Sequence, residues 1–201
     1  SARIELVLRH YLTAALVAAI ALTVYAIELP PTVTGEDSGE LTTAAYTLGI
    51  PHPPGYPIWC LFTHPFTYIP HGSVAWRVAL ASAAFSSAAV FLVALLAMKL
   101  TRSAIGGATA GVALAFSREF WEQAVIAEVY GLNSLFLVLC VFLLYVWYET
   151  HRNSVLLVFA VVYGLSLCNH NTMLLLGPLF VLFVLSVDRE PWRRWKLYAA
   201  C

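Results

Sequence analysis

Glu36, Asp37 and Glu40 stand within five positions of one another in ProProThrValThrGlyGluAspSerGlyGlu (30–40), and no Lys or Arg occurs between residues 10 and 76. Carboxylates gathered without nearby cations in sequence suit proton transfer, because a rigid carboxylate within hydrogen-bond reach of a hydroxyl can take its proton or orient it. HisProProGlyTyrPro (52–57) follows on the same side of the next apolar run. Its prolines restrict φ and Gly55 permits a turn that side chains would block, so the hexapeptide is suited to fix His52 and Tyr56 over the acids. A structural reading stands beside this one. Asp37 with Glu40 three positions later fits a capping box, and Gly49 is placed to end the helix so begun. The two are compatible, since a capping carboxylate is held rigidly and kept ionised by the helix dipole.

Other polar groups fall at the edges of apolar runs. Arg77 opens the second run, where it can snorkel to the interface or pair with Glu36, Asp37 or a phosphate. Glu128, in AlaGluValTyrGlyLeuAsn (127–133), precedes another run; it suits a helix N-terminus and also a second acid lining the same cavity. Asn169, His170 and Asn171 lie in CysAsnHisAsnThr (168–172), between two apolar runs of about 15 residues. Helices of that length rise only ~22 Å, so this cluster is expected partly at membrane depth, facing a cavity. His52, His64 and His71 share the acidic segment, but no HisxxxHis or HisxxGlu spacing occurs there, and no metal site is expected.

These residues must be positioned by membrane helices. The chain is 61% hydrophobic and 11% charged, with a mean hydropathy of +0.80; soluble domains are ~25% charged. Zero net charge gives no electrostatic support to a nucleic-acid partner. The four cysteines form no CxxC pair, which argues against a zinc or thioredoxin-like motif. Apolar runs predict an all-α, polytopic bundle of six spans, near 10–29, 76–98, 104–116, 130–148, 154–168 and 173–187. The first is too long for the apolar core of a signal peptide. GlyGlyAlaThrAlaGly (106–111) reads as a close helix-packing stripe. The acidic, proline-rich segment 30–75 forms a structured outer-face loop with short helices. With the N-terminus cytoplasmic, Arg3, Arg9, Lys99, Arg102, Arg152, Arg189, Arg193, Arg194 and Lys196 fall inside and only Arg77 and Arg118 outside. All the candidate chemistry then shares the outer face, which is periplasmic for a bacterial inner membrane or lumenal for the endoplasmic reticulum. Trp192 and Trp195 with Arg193, Arg194 and Lys196 read as an inner-face amphipathic segment touching anionic lipid.

The order of a first span, an acidic outer loop, a His/Pro turn and an Arg opening the second span resembles the GT-C class of membrane glycosyltransferases. GluAspSerGlyGluLeuThrThrAlaAlaTyrThrLeuGlyIleProHisProProGlyTyrPro (36–57) resembles the signature of the transmembrane protein 260 type of O-mannosyltransferase and its bacterial relatives. AlaGluValTyrGlyLeuAsn (127–133) and GlyLeuSerLeuCysAsnHisAsnThr (164–172) resemble that family's later motifs. The resemblance implies a polyprenyl-phosphate sugar donor, mannose being one sugar that fits, and a hydroxyl acceptor on a secreted or lumenal polypeptide. It maps the acceptor-activating aspartate onto Asp37 and the cation of the second span onto Arg77. Glu36 and Glu40 would support Asp37, while His52, Tyr56, Glu128, Asn169, His170 and Asn171 would line the cavity. Family members are longer, so residues 1–201 read as one transmembrane domain, the N-terminal half of such an enzyme. No Walker or Rossmann glycine motif occurs, which suits a lipid-linked donor better than a nucleotide sugar, and no cofactor is expected. The rival readings are a transporter or lipid-handling protein, whose polar groups should be reachable from both faces, and a non-catalytic assembly subunit.

Overall fold

The structure, a computed structural model, describes residues 2–188 and 195–199, with side chains from Ile4 onward. Arg189, Trp192, Arg193 and Arg194, and the side chain of Arg3, lie outside the described residues. The helices in chain order are α1 (Ala2–Glu28), α2 (Ser38–Thr47), α3 (Pro57–Thr63), a 3-10 turn (His64–Tyr68), α4 (Val74–Thr101), α5 (Ala104–Ala115), α6 (Arg118–Ala124), α7 (Tyr130–Thr150), α8 (Asn153–Leu167), α9 (Thr172–Val187) and α10 (Trp195–Ala199). No strand occurs among the described residues.

Three helices, over Ile4–Glu28, Val74–Thr101 and Tyr130–Thr150, are long and apolar enough to cross a membrane. The other expected spans are shorter: α5, α8 and α9 have 12, 15 and 16 residues. At 1.5 Å per residue they rise about 18 to 24 Å, short of a ~30 Å hydrocarbon core. All three are strongly apolar and pack on the long helices.

Helix α4 is the centre of the bundle. Its buried positions are mostly small, including Ala75, Ala79, Ser82, Ala83, Ser86, Ala89 and Ala94. Small residues let neighbouring backbones approach closely where lipid supplies no hydrophobic drive between helices. A Cβ on Gly107 would lie 2.6 Å from the Ala94 carbonyl oxygen, so the stripe expected at 106–111 does seat α5 on α4. Val17, Ala21 and Tyr25 of α1 close the other side with Ala79, Ala83 and Val90. Tyr25 satisfies its buried hydroxyl by donating to the Ala115 carbonyl at 2.7 Å. This bond joins the C-terminal ends of α1 and α5 at the end of the bundle where α4 and α7 begin. At the opposite end, Lys99 pairs with Glu149 at 2.9 Å.

The segment between α1 and α4 is folded, with an apolar core of its own. Leu41, Ala44 and Ala45 of α2 and Trp59 and Cys60 of α3 pack with Val78 of α4 and Leu132 and Phe136 of α7. The turn between α2 and α3 takes backbone shapes that few residues adopt. Pro53–Pro54 is cis, Gly55 has φ +92° and Tyr56 has φ +42°. Two expectations for α2 are corrected. Asp37 occupies the N-cap position, yet at φ −86° and ψ 6° it lacks the extended backbone of a capping residue and its side chain makes no capping bond; Glu40, the other half of the expected box, reaches to His52 instead. The left-handed residue that ends the helix is Leu48, while Gly49 follows and donates its N–H to the Ala44 carbonyl at 3.0 Å.

Candidate functional site

The site is assembled around His52. Its backbone N–H donates to Glu40 Oε1 at 2.7 Å, and its ring Nδ1 lies 3.0 Å from Glu40 Oε2. The other ring nitrogen, Nε2, is 3.2 Å from the Tyr56 hydroxyl and 3.7 Å from Asp37 Oδ2. Glu40 therefore orients the imidazole, which faces Asp37 and Tyr56 with its free edge. The hydrogen bond that its ring donates to Glu40, aided by the charges of Asp37, Glu40 and Glu128, lifts the His52 pKa above its ordinary value. The same bond lowers that of Glu40. Glu36 sits at φ +57°, a left-handed conformation that costs a non-glycine residue energy and is enriched at functional sites.

Asp37, Glu40 and His52 each bring one potential ligand atom within 4.8 Å of the others. That spacing could admit a cation. Here Glu40 uses both oxygens on His52, the second His52 ring nitrogen meets Tyr56, and Asp37 stands 3.7 Å from that nitrogen.

Glu128 reaches the cluster from the other side. It is 4% exposed, and its backbone is clamped on three counts. The Trp59 indole N–H donates to its carbonyl at 3.1 Å, Ser82 Oγ donates to the same carbonyl at 3.0 Å, and its N–H donates back to Ser82 Oγ at 3.2 Å. Its carboxyl faces the backbone amides of Val129 and Asp37. Burial, with the like charges of Glu36 and Asp37 adding to it, pushes the carboxyl up to about 7.

The third motif arrives through ring packing. His170 stacks on Tyr56, with centroids 6.1 Å apart and an interplanar angle of 6°, and its ring lies 5.4 Å from that of Tyr130. His170 Nδ1 is 2.9 Å from the Thr172 hydroxyl, which accepts a bond from Asn133 at 3.1 Å. Asn169 is 1% exposed, and neither of its amide atoms finds a hydrogen-bond partner among the described residues. Asn171 precedes α9 at the exposed N-cap position without a side-chain capping bond.

Arg77 is elsewhere. Its guanidinium donates to the carbonyls of Thr67, His71 and Gly72 at 2.9, 3.0 and 3.0 Å. It ties the 3-10 turn and the following loop to α4, and among the described residues it forms no ion pair with Glu36 or Asp37. The expected pairing with the acids is thus replaced by a structural clasp, for which three backbone acceptors match the donor fork of arginine. Trp59, Ser82 and Tyr130 are the site-supporting residues that sequence reasoning missed. The available signal for Ser82 was a group of three serines, Ser82, Ser86 and Ser87, inside an otherwise apolar span.

Comparison with known proteins places the chain in a family. The family model described as the protein O-mannosyl-transferase TMEM260 N-terminal domain matches residues 37–193. The chain is 37% identical over 179 residues to the mouse (Mus musculus) protein O-mannosyl-transferase TMEM260, an alignment covering 87% of this chain and 24% of the mouse protein. It is 31% identical over 132 residues to the Dictyostelium discoideum protein of the same name, covering 64% of this chain and 16% of that protein. The chain therefore spans about a quarter or less of the curated relatives it matches. No solved structure matches. The matched segment contains Asp37, Glu40, His52, Tyr56, Glu128 and His170, and the chain belongs to the TMEM260 family of protein O-mannosyl-transferases.

Proposed function

We propose that this chain is the N-terminal, catalytic part of a GT-C-type membrane glycosyltransferase. In this reading it moves a sugar, mannose by analogy with its relatives, from a polyprenyl phosphate to a protein hydroxyl. The observation that carries the reading is the meeting of Asp37, Glu40, His52, Tyr56, Glu128 and His170 at one end of the helical bundle, from three separate stretches of sequence. Asp37, with its side chain 57% exposed, is the accessible carboxylate that is not hydrogen-bonded to His52; Glu40, also exposed, commits both oxygens to it.

Asp37 takes the proton of the acceptor hydroxyl as the hydroxyl oxygen bonds to the anomeric carbon. The bond from that carbon to the phosphate oxygen breaks, its electron pair leaves with the polyprenyl phosphate, and the configuration inverts. His52, held by Glu40 and inclined to carry a proton, places positive charge beside Asp37 and near the departing phosphate. A lipid-linked donor calls for no nucleotide site, and the scheme needs no metal. The six apolar helices alternate in direction between the two bundle ends, in keeping with six spans. Arg9, Lys99, Arg102 and Arg152 sit at the end opposite the site, supporting a cytoplasmic N-terminus and a site on the periplasmic or lumenal side.

The test is transfer by the full-length protein from a polyprenyl-phosphate sugar. Asp37→Asn keeps the size of the side chain, and the native aspartate makes no capping bond to lose. The expected result is a loss of ~10²–10⁴-fold in turnover at normal expression. Wild-type turnover in this variant would remove Asp37 from the chemistry.

A further inference from the structure

Glu128 is a carboxyl group almost sealed from solvent, facing the Asp37 backbone amide and within reach of the charges of Glu36 and Asp37, and the mechanism above leaves it without a task. Among the described residues no Lys or Arg pairs with it. Burying an unpaired carboxylate is so costly that such a group holds its proton instead. The chain nevertheless keeps it in place, with Trp59 and Ser82 fixing its backbone through three hydrogen bonds. The titratable groups around it are Glu36 and Asp37 from the turn before α2, and His52 and Tyr56 from the turn before α3. Beyond them are Tyr130 of α7 and His170 of the α8–α9 turn, while α4 contributes only the uncharged Ser82.

We infer that Glu128 is a positioning residue for Asp37: a buried carboxylic acid that carries the proton of the acidic cluster, so that Asp37 stays ionised as the base. The inference rests on Asp37 having the role given above. Glu36 and Asp37 are exposed and Glu128 is buried, and among carboxyl groups that feel one another's charge the one with least access to water is the one that remains neutral. Burial, which pushes Glu128 up to about 7, agrees with this division. Asp37, by contrast, is exposed and faces the ring of His52. As pH rises through the Glu128 value, a second negative charge appears behind Asp37. It disfavours binding of an anionic phosphate donor. Activity should therefore fall on the alkaline side.

The experiment is infrared titration of the full-length protein in membranes, which needs no substrate, paired with the pH profile of transfer. A protonated-carboxyl band titrating near neutral pH is expected in the wild type. It should be lost in Glu128→Gln and retained in Asp37→Asn, with its midpoint moved to lower pH because a like charge is gone. In the transfer assay, Glu128→Gln should lack the alkaline limb seen in the wild type, and Glu128→Asp should keep one. A band unchanged by Glu128→Gln, or a midpoint unmoved by Asp37→Asn, overturns the inference. If the bands behave as stated but wild-type protein transfers no sugar, the proposed function fails while the paired carboxyls stand.

Discussion

Glu40 holds His52 with both of its carboxylate oxygens, one on the backbone N–H at 2.7 Å and one on the ring at 3.0 Å. A single side chain thereby sets both the path of the α2–α3 turn and the orientation of the imbalanced imidazole edge that meets Asp37. The backbone bond survives when the ring loses its proton, whereas the ring bond loses its charge assistance.

That difference fixes a pH dependence. The pKa of Glu40 is lowered from its ordinary 4.5, so its contribution is complete above that value and is lost as pH falls through the depressed one. The pKa of His52 is raised from its ordinary 6.5, so its contribution is complete below 6.5 and is lost as pH rises through the elevated value. The melting temperature of wild type minus that of Glu40→Gln should be largest between 4.5 and 6.5 and should shrink, without vanishing, on the alkaline side. Thermal unfolding in detergent across pH reads this directly. A difference that grows steadily with pH would show that the ring bond contributes nothing.

Arg77 separates charge from geometry. Its three carbonyl partners need a planar fork, which the single ammonium of lysine cannot reproduce. Arg77→Met should destabilise the protein by about 1.5–3 kcal/mol, the scale of a hydrogen bond to a charged group. Arg77→Lys should melt close to Arg77→Met despite its retained charge. If lysine instead restores both stability and donor KM while methionine does not, Arg77 acts through its charge on the phosphate.

How much of this was readable in advance depended on which partner each side chain meets. The meeting of Asp37, Glu40, His52 and Tyr56 was visible because acids, a histidine and rigid turn residues are adjacent in sequence. The all-helical class followed from apolar runs alone. Arg77 was misplaced because its partners are backbone carbonyls, which leave no trace in side-chain identity. The capping box failed for a related reason: Glu40 fits the pattern locally, but the returning chain offers it two donors on His52. The link between Tyr56 and His170 depends on where α8 ends against α3 in three dimensions, and helix periodicity does not specify that. The apolar runs at 104–116, 154–168 and 173–187 carried the right hydropathy, but the helices within them are shorter than the three long ones.

Gly131 tests whether helix packing and the site are mechanically joined. A Cβ there would lie 2.7 Å from Ser86 Oγ and 2.8 Å from the Ser82 carbonyl oxygen, and the latter belongs to backbone that cannot swing aside. Ser82 is also the residue that clasps Glu128. Gly131→Ala should push the start of α7 off α4, cost about 1–3 kcal/mol as overpacking does, and slacken the hold on Glu128. Gly164 in α8 is the control, since a Cβ there meets nothing within 4 Å; Gly164→Ala should hold or gain stability by about 0.5–1 kcal/mol, as expected for replacing a helical glycine. Thermal unfolding of the two variants, with the protonated-carboxyl band as a second readout, checks the coupling. A Gly131→Ala protein that melts with the wild type and keeps its band unchanged would show that α7 has room to shift and that Glu128 is held independently of this contact.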